Sequence, residues 1–514
     1  MLNILSIRLP HYFLLHRARI LDTISDDAEF LRQVILPPAR ERKGTTKKRR
    51  KKDNLRRKLL RNIILISLDT LRASSMSCYG HKNLTTPHLD RLAAQSTLFE
   101  RCISPHIPTH PAHTTMFTGK DVLTHQIVTH AGTRDLQPDV RTLPELLSEA
   151  GYFTVAADRL GRWFKRGFDD EYYRGYRWES KFHNARKAEA VNQTAIALLD
   201  VALSQDKPWF AFLHYWDPHT PYLPPPPFER MFYSGDECAP NNQSMDAVYN
   251  CEPFKDYFME WMCTPDASAP DDISKKRLWT DRRYVNAQYD GSVAYMDASL
   301  AHLFQYLGDN RVMDDTLLVI TADHGEELDE HELWYDHHGL YETNCRVPLI
   351  IHCPDVVSQD QRLDGIVTLK DIAPTIFDYA GLPELAEREK MEGTSLRGLI
   401  DTGSDAGSTE EVYLTECSWM KKRGWQTKQW KLIVETGDTP EIYNTPKLEL
   451  YDLEDDPDEV YNLAEEATDV VERLKGDMAD FLQQRLAETG LPDPTVEQDI
   501  TMQRIGNKNR AVQR

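Results

Sequence analysis

The first sustained apolar run in the chain, NIILISLDT from Asn62, is short, β-branched and closed by an acid. That is the pattern of a strand buried on both faces of a parallel sheet. A polar loop, SSMSCYGHKNLTTP, follows it. In HLDRLAAQSTLFE the residues Leu89, Leu92, Ala93 and Leu98 recur at roughly helical spacing, which predicts a helix. Strand, loop and helix then alternate along the chain. TLPELLSEAGY reads as a helix closed by Gly151, YFTVAA as a strand, and KPWFAFLHYWDPH as a strand delivering polar residues at its C-terminal end. TLLVITADHGEE repeats that arrangement, and RVPLIIHCP adds a further apolar strand. The alternation predicts a large α/β domain over residues 62–405, a mixed, mainly parallel sheet with helices on both faces.

Two stretches break the alternation. Residues 233–281 are rich in Asp, Pro, Asn and Cys and weak in periodicity, so they read as an insertion near the site, a candidate lid. Beyond the large domain, EVYLTE, WKLIVET and LELYDLEDD predict a small antiparallel sheet, and ATDVVERLKGDMADFLQQRL an amphipathic closing helix. These make a C-terminal subdomain over residues 406–490. The tail, 491–514, reads as polar and disordered.

Length and charge then narrow the classes of function. A chain of 514 residues exceeds the roughly 250 to 300 at which one core stops growing, so more than one domain is expected. No apolar run approaches the ~18 residues a membrane-spanning helix needs. Arg8, Pro10 and His11 interrupt the N-terminus, and no small-residue cleavage site follows, which argues against a secretory signal. The eight cysteines show no CxxC pair or regular spacing, which points to a reducing cytoplasm. A net charge of -20 argues against a whole-protein nucleic-acid binder. Against that background residues 40–61, RERKGTTKKRRKKDNLRRKLLR, are densely basic. The block reads as a solvated arm or as a polyanion contact, within an N-terminal extension over residues 1–61. Oligomeric state is not legible.

Candidate chemistry collects where parallel strands end, because ligands of open α/β sheets sit at the carboxyl edge. Three such ends carry it: Asp69 in LISLDTLR, Asp217 with His219 in HYWDPHTPY, and Asp323 with His324 in VITADHGEE. Carboxylate and imidazole both ligate divalent cations. A lone Asp at a strand end is also an ordinary turn or cap residue, so convergence on one sheet edge carries the functional reading.

At these residues the chain resembles the sulfatase-like branch of the alkaline phosphatase superfamily. LDTLRASSMSCYGHKNLTTPHLDRLAAQSTLFERC is similar to that family's opening strand, loop and helix. WDPHTPY, YDGSVAYMDASL, TADHGEE, HHGLYETNCRVPLII, DIAPTIFDYAGLP and ELYDLEDDPDEVYNLA follow in family order. The resemblance implies a three-layer sandwich with a small C-terminal antiparallel sheet and packed helix, and a metal-dependent hydrolase of sulfate or phosphate esters. The stretch from Thr109 resembles the family's nucleophile signature, Cys or Ser, any residue, Pro, Ser, Arg, four residues, Thr-Gly. Here the frame reads Thr109, His110, Pro111, Ala112, His113, then TTMF, then Thr118-Gly119.

The departures shift the expected chemistry. Thr109 cannot become the formylglycine of true sulfatases, and His113 stands where the assisting arginine would be. No formylglycine is therefore expected, and phosphate monoesters or diesters are favoured over sulfates. The resemblance implies Asp69, Thr109, Asp323 and His324 around one divalent ion, Zn²⁺, Mn²⁺ or Ca²⁺. It implies Thr109, His219 and His338 as catalytic residues, and His113, Lys120 and His337 against the substrate. Asp217, His219 and His338 offer a candidate second metal site. A transferase, or an inactive binding protein of the same fold, shares these motifs.

Overall fold

The computed structural model describes residues 61–500 apart from 131, 178–186, 252–254, 267, 269–274, 355, 438–444 and 499. The basic block at 40–61 lies outside the described residues except for Arg61. β1 (Asn62–Leu68) is the predicted first strand, and Ile63, Ile64, Leu65 and Ile66 in it are fully buried. Helix α1 (Pro87–Ala93) is shorter than the spacing implied. Leu98 belongs instead to β2 (Thr97–Ile103), where a run TLFERCI of β-branched and aromatic residues takes over from the helix. β3 (His106–Ile107) then enters helix α2 (Thr109–Thr118), every residue of which is buried.

Helix α3 (Leu143–Glu149) starts on a reciprocal Thr142–Glu145 capping box and leads into β4 (Phe153–Ala157). β5 (Tyr173–Arg174), α4 (Lys187–Leu203) and β6 (Trp209–Tyr215) follow. The insertion holds short helices and a two-stranded ribbon, β7 (Cys263–Thr264) with β8 (Arg277–Leu278). Its Trp261 and Phe258 pack edge-on against Tyr222 and Tyr335, which fixes it beside the loops after β6 and the next large-sheet strand. Helix α5 (Arg282–Asp309), β9 (Thr316–Thr321), antiparallel β10 (Arg346–His352), β11 (Gln361–Thr368) and α6 (Ile372–Tyr379) complete the large layer.

The eight-stranded sheet runs β11-β2-β10-β9-β1-β6-β4-β5, mixed and mainly parallel as expected. α4 packs on β4 and β6 with α5 beside it, while α2, α3 and α6 pack together; helices thus cover both faces. The ladder also sets the site. β1 is parallel to β9 with Ser67 opposite Thr321, so two residues on Asp69 and Asp323 leave neighbouring strands at the same level. Ser67 faces His214 on the other side, in β6.

The second sheet contains β12 (Glu411–Glu416), β13 (Lys422–Thr427), β14 (Trp430–Glu435) and β15 (Leu448–Asp452). Helix α7 (Thr468–Thr489) covers it. β13, the charged stretch KRGWQT, shows no hydrophobic alternation, and hairpin pairing on both sides makes it a strand. β3 joins β12 in parallel, so this sheet grips the chain three residues before Thr109. The start of the tail is ordered against expectation. Arg423 of β13 pairs with Asp493, and Thr495 and Ile500 are buried.

Candidate active site

Asp69, Asp323 and His324 bring one ligand atom each to within 4.8 Å of one another, all fully buried. Both oxygens of Asp69 and Oδ2 of Asp323 lack a hydrogen-bond partner. Burying a bare carboxylate costs several kcal/mol unless it is paired or coordinates a cation, so the donor set fits a divalent metal. The second contacts of the set are already fixed. Asp323 Oδ1 accepts from the backbone amides of Thr70 (3.3 Å) and His324 (2.9 Å), leaving Oδ2 for the site. His324 Nδ1 donates to Gly325 O at 2.9 Å, which fixes the tautomer and leaves the Nε2 lone pair facing the cluster.

Thr109 completes this arrangement from the first turn of α2. Its Oγ1 lies 3.2 Å from His324 Nε2. His113, one turn on, donates from Nδ1 to Thr109 O (2.9 Å), and its Nε2 accepts from the Ser67 hydroxyl (2.9 Å). His113 therefore locks the first turn of α2, which carries Thr109, from behind, between α2 and β1, with Nδ1 3.5 Å from Asp323 Oδ2. It is fully buried, and burial lowers its proton affinity. The sequence expectation placed His113 against the substrate; its hydrogen bonds go to the protein instead.

Asp158 and His214 were not anticipated. Asp158, just past β4, accepts from His214 Nδ1 at 2.7 Å, and His214 Nε2 faces Asp69 Oδ2 at 3.3 Å. Burial alone would lower His214, but the neighbouring carboxylates of Asp158, which accepts its hydrogen bond, and of Asp69 push it up to about 10. His214 thus stands behind Asp69, its ring backed by Asp158. Its only sequence signal was a histidine in the otherwise apolar WFAFLHY.

On the open side the rings of His324, His337 and His219 form a row, with centroids 4.7 Å and 5.1 Å apart. His219 Nδ1 donates to Thr220 O at 2.8 Å, leaving Nε2 as an acceptor. His337 Nδ1 lies 3.0 Å from Asp336 and 3.7 Å from Glu326, and these carboxylates outweigh burial and raise its proton affinity. His338 is buried beside Asp336, Nδ1 to Oδ2 3.9 Å. Arg72, after β1, donates to Glu326 O and grips Glu330 through both terminal nitrogens, at 2.9 and 2.7 Å. That clamp ties the loops carrying Asp69 and Asp323.

Two expected residues point elsewhere. Asp217 pairs with Lys187 Nζ at 3.3 Å, so the structure does not gather Asp217, His219 and His338 into a second metal site. Among the described residues the other metal-compatible group is Glu326, Asp336 and His337, and there His337 already sits between the two acids. Lys120 Nζ donates to Glu389 O (2.6 Å) and Lys390 O (2.9 Å), tying two loops together away from the reaction centre. His106 and His125 are packed as structural residues, on Thr415 Oγ1 and Thr115 Oγ1.

Comparison with known proteins agrees with this geometry. A family profile described as Sulfatase matches residues 61–382, and one described as N-sulphoglucosamine sulphohydrolase, C-terminal, matches residues 329–484. N-acetylglucosamine-6-O-sulfatase of Bacteroides thetaiotaomicron is 26% identical over 475 residues, covering 78% of this chain and 82% of that protein. A solved structure in complex with its substrate D-glucosamine-2-N,6-O-disulfate shares the fold with a TM-score of 0.65 at 20% identity, over 85% of this chain and 99% of the other. The phosphonate monoester hydrolase of Agrobacterium radiobacter does so with a TM-score of 0.62 at 20% identity, over 84% and 96%. Fold and site thus define a protein of the alkaline phosphatase superfamily. Within it the chain belongs to the sulfatase family and is a hydrolase of sulfuric or phosphoric esters. No helix among the described residues is long and apolar enough to cross a membrane.

Proposed function

We propose that the protein hydrolyses phosphate-type esters, monoesters or diesters, through a covalent ester on unmodified Thr109. The observation that carries this reading is the Thr109 hydroxyl, 3.2 Å from His324 Nε2 and beside carboxylate oxygens without partners. Asp69, Asp323, His324 and Thr109 would hold one divalent cation. The mixed oxygen and nitrogen donors suit Zn²⁺ or Mn²⁺ better than Ca²⁺, which asks for more oxygens. When bound, such an ion lowers the pKa of a hydroxyl and offsets charge on the transferred group.

The chain's own residues do the rest. His113 and the α2 backbone aim Thr109, and the N-terminus of α2 favours the oxyanion of the group it receives. His337, flanked by Asp336 and Glu326, faces the leaving oxygen as a proton donor. His219, with Nε2 as an acceptor, takes the proton of the water that later releases Thr109. Asp217 and Lys187 support this loop; Lys187 Nζ also donates to His219 O at 2.8 Å. The eight free cysteines fit work in a reducing cytoplasm.

The test is turnover of 4-nitrophenyl phosphate, bis(4-nitrophenyl) phosphate, 4-nitrophenyl phenylphosphonate and 4-nitrophenyl sulfate with added Mn²⁺ or Zn²⁺. Acid-quenched enzyme is analysed by peptide mass spectrometry. Cleavage of phosphorus esters with label on Thr109 is expected. Cleavage of the sulfate alone, or full turnover by Thr109→Ala, overturns the proposal.

A further inference from the structure

The chain leaves β1 through a strained turn. Leu71 N donates to Leu68 O at 3.2 Å, which makes Asp69 and Thr70 the two central residues of a β-turn. Thr70 has a φ of 59°, in the left-handed region. The third place of a turn with this backbone ordinarily goes to Gly or Asn, and a β-branched residue there is an outlier. Thr70 is fully buried and its Oγ1 has no hydrogen-bond partner, so its own hydroxyl does not offset the strain. The surroundings must hold the shape.

Other elements grip the backbone here. Asp69 N donates to Tyr215 O on β6 at 2.9 Å, and Thr70 N to Asp323 Oδ1 at 3.3 Å. The first grip belongs to the sheet edge and the second to a residue of the site itself. A further one comes from α5, outside both: the Tyr289 hydroxyl donates to Thr70 O at 2.7 Å and accepts from Arg72 N at 3.2 Å. One oxygen thus closes on the backbone on both sides of Leu71. Tyr289 is fully buried, its ring edge-on to Tyr222 at 5.3 Å, and Tyr222 is edge-on to Trp261 of the insertion at 5.4 Å. Packing therefore keeps the hydroxyl at the turn.

We propose that Tyr289 is a positioning residue: its hydroxyl holds Thr70 in the left-handed conformation and so keeps the Asp69 carboxylate presented to the divalent cation. This role rests on the reading of Asp69 as a metal ligand and adds to it the group that sets its aim. A hydroxyl suits the task because it is donor and acceptor at once, and so serves a carbonyl and an amide two residues apart. Phenylalanine fills the same space and can serve neither.

Two measurements on the full-length protein test it, the first free of metal. With EDTA present, hydrogen-deuterium exchange is followed by mass spectrometry in peptides carrying Asp69 to Arg72. Tyr289→Phe should speed exchange there by on the order of tenfold and leave the peptides of β14 at wild-type rates. Second, the Kd of Mn²⁺ is read from the free-ion signal in electron paramagnetic resonance. Tyr289→Phe should weaken binding by on the order of tenfold. Adding Thr70→Gly to it should recover most of that loss, because glycine adopts the left-handed turn without help. Tyr295→Phe removes another hydroxyl of α5, one that accepts from Glu189 N at 3.3 Å, and should bind Mn²⁺ like the wild type. Wild-type Mn²⁺ affinity in Tyr289→Phe overturns the role, as does a loss that Thr70→Gly leaves unchanged or that Tyr295→Phe reproduces. If the wild type itself binds no Mn²⁺, exchange decides: faster exchange confined to this turn supports the clasp while the metal reading alone fails, and wild-type exchange overturns the clasp.

Discussion

Two of the places in the protein that bury charge treat it oppositely. In the C-terminal sheet Lys422 Nζ meets Glu449 Oε1 at 2.6 Å, and the Glu449 Oε2 oxygen accepts the hydroxyls of Tyr341 (2.6 Å) and Tyr451 (2.9 Å). Lys431 nearby pairs with Glu342 and Glu459, both at 2.8 Å. At the edge of the large sheet Asp69 and Asp323 are as deeply buried and keep three carboxylate oxygens without hydrogen bonds. Charge that is matched by protein groups builds the fold; charge left unmatched is held for something the protein binds. Each set can be used to attack the distinction.

The largest effect is expected at the unmatched site. Thr109→Ala and Asp323→Ala should each lower turnover of the preferred ester by on the order of 10⁴-fold. Circular dichroism should stay that of the wild type. Wild-type turnover in either variant would remove the site from the reaction.

Next comes the matched pair. Lys422→Met strands Glu449 in the interior and should cost about 3 to 5 kcal/mol in urea unfolding. Asp323→Asn, measured without added metal, should cost nothing or stabilise, because it removes a buried charge whose Oδ2 accepts no hydrogen bond while leaving an oxygen for the Thr70 and His324 amides. Equal destabilisation by both would erase the contrast. Metal gives the third measurement. A hundredfold excess of Mn²⁺ or Zn²⁺ over Kd should add about 2 to 3 kcal/mol to the wild type. Asp69→Asn and Asp323→Asn should not respond, and EDTA should return the wild type to its starting stability.

The smallest effect concerns Glu416, which stands between the two cases. It is fully buried and accepts the Gly339 amide at 2.7 Å and the Ser418 hydroxyl, while burial pushes its carboxyl up to about 7. A value raised on folding means the folded state takes up a proton. The contribution to stability is present below about 4.5 and is lost as pH rises through about 7. Glu416→Gln should flatten that slope by on the order of 1 to 2 kcal/mol in unfolding titrations from pH 5 to 8. An unchanged slope would show that another group sets it.

The sequence made the sheet and the ends of β1, β6 and β9 legible because a buried parallel strand is continuous in sequence and its acid follows at once. It located Asp69, Asp323, His324 and Thr109, which the structure gathers. It did not reveal His214, Asp158, Glu326 or Asp336. Their meaning lies in partners 56 or more residues away, such as His214 to Asp158, or in a turn such as WYDHHG with no regular period. Asp217 and Lys120 show the converse. Each lies in a family-like motif, yet each has a protein partner, Lys187 or two backbone carbonyls, that no motif encodes.

The pairing of β3 with β12 sets an order of events during synthesis. Asp69 and Thr109 leave the ribosome early, but Asp323 and His324 come far later, and the strand that grips His106 and Ile107 is later still, at Thr415 and Glu416. Strand β1 also waits for β9 before one of its edges is covered. An apolar strand with an open edge, Asp69 just past its end, must therefore persist until β9 is made, the kind of surface that recruits chaperones. A chain stopped before residue 411 has every candidate metal ligand and no β12 to hold the turn that carries Thr109.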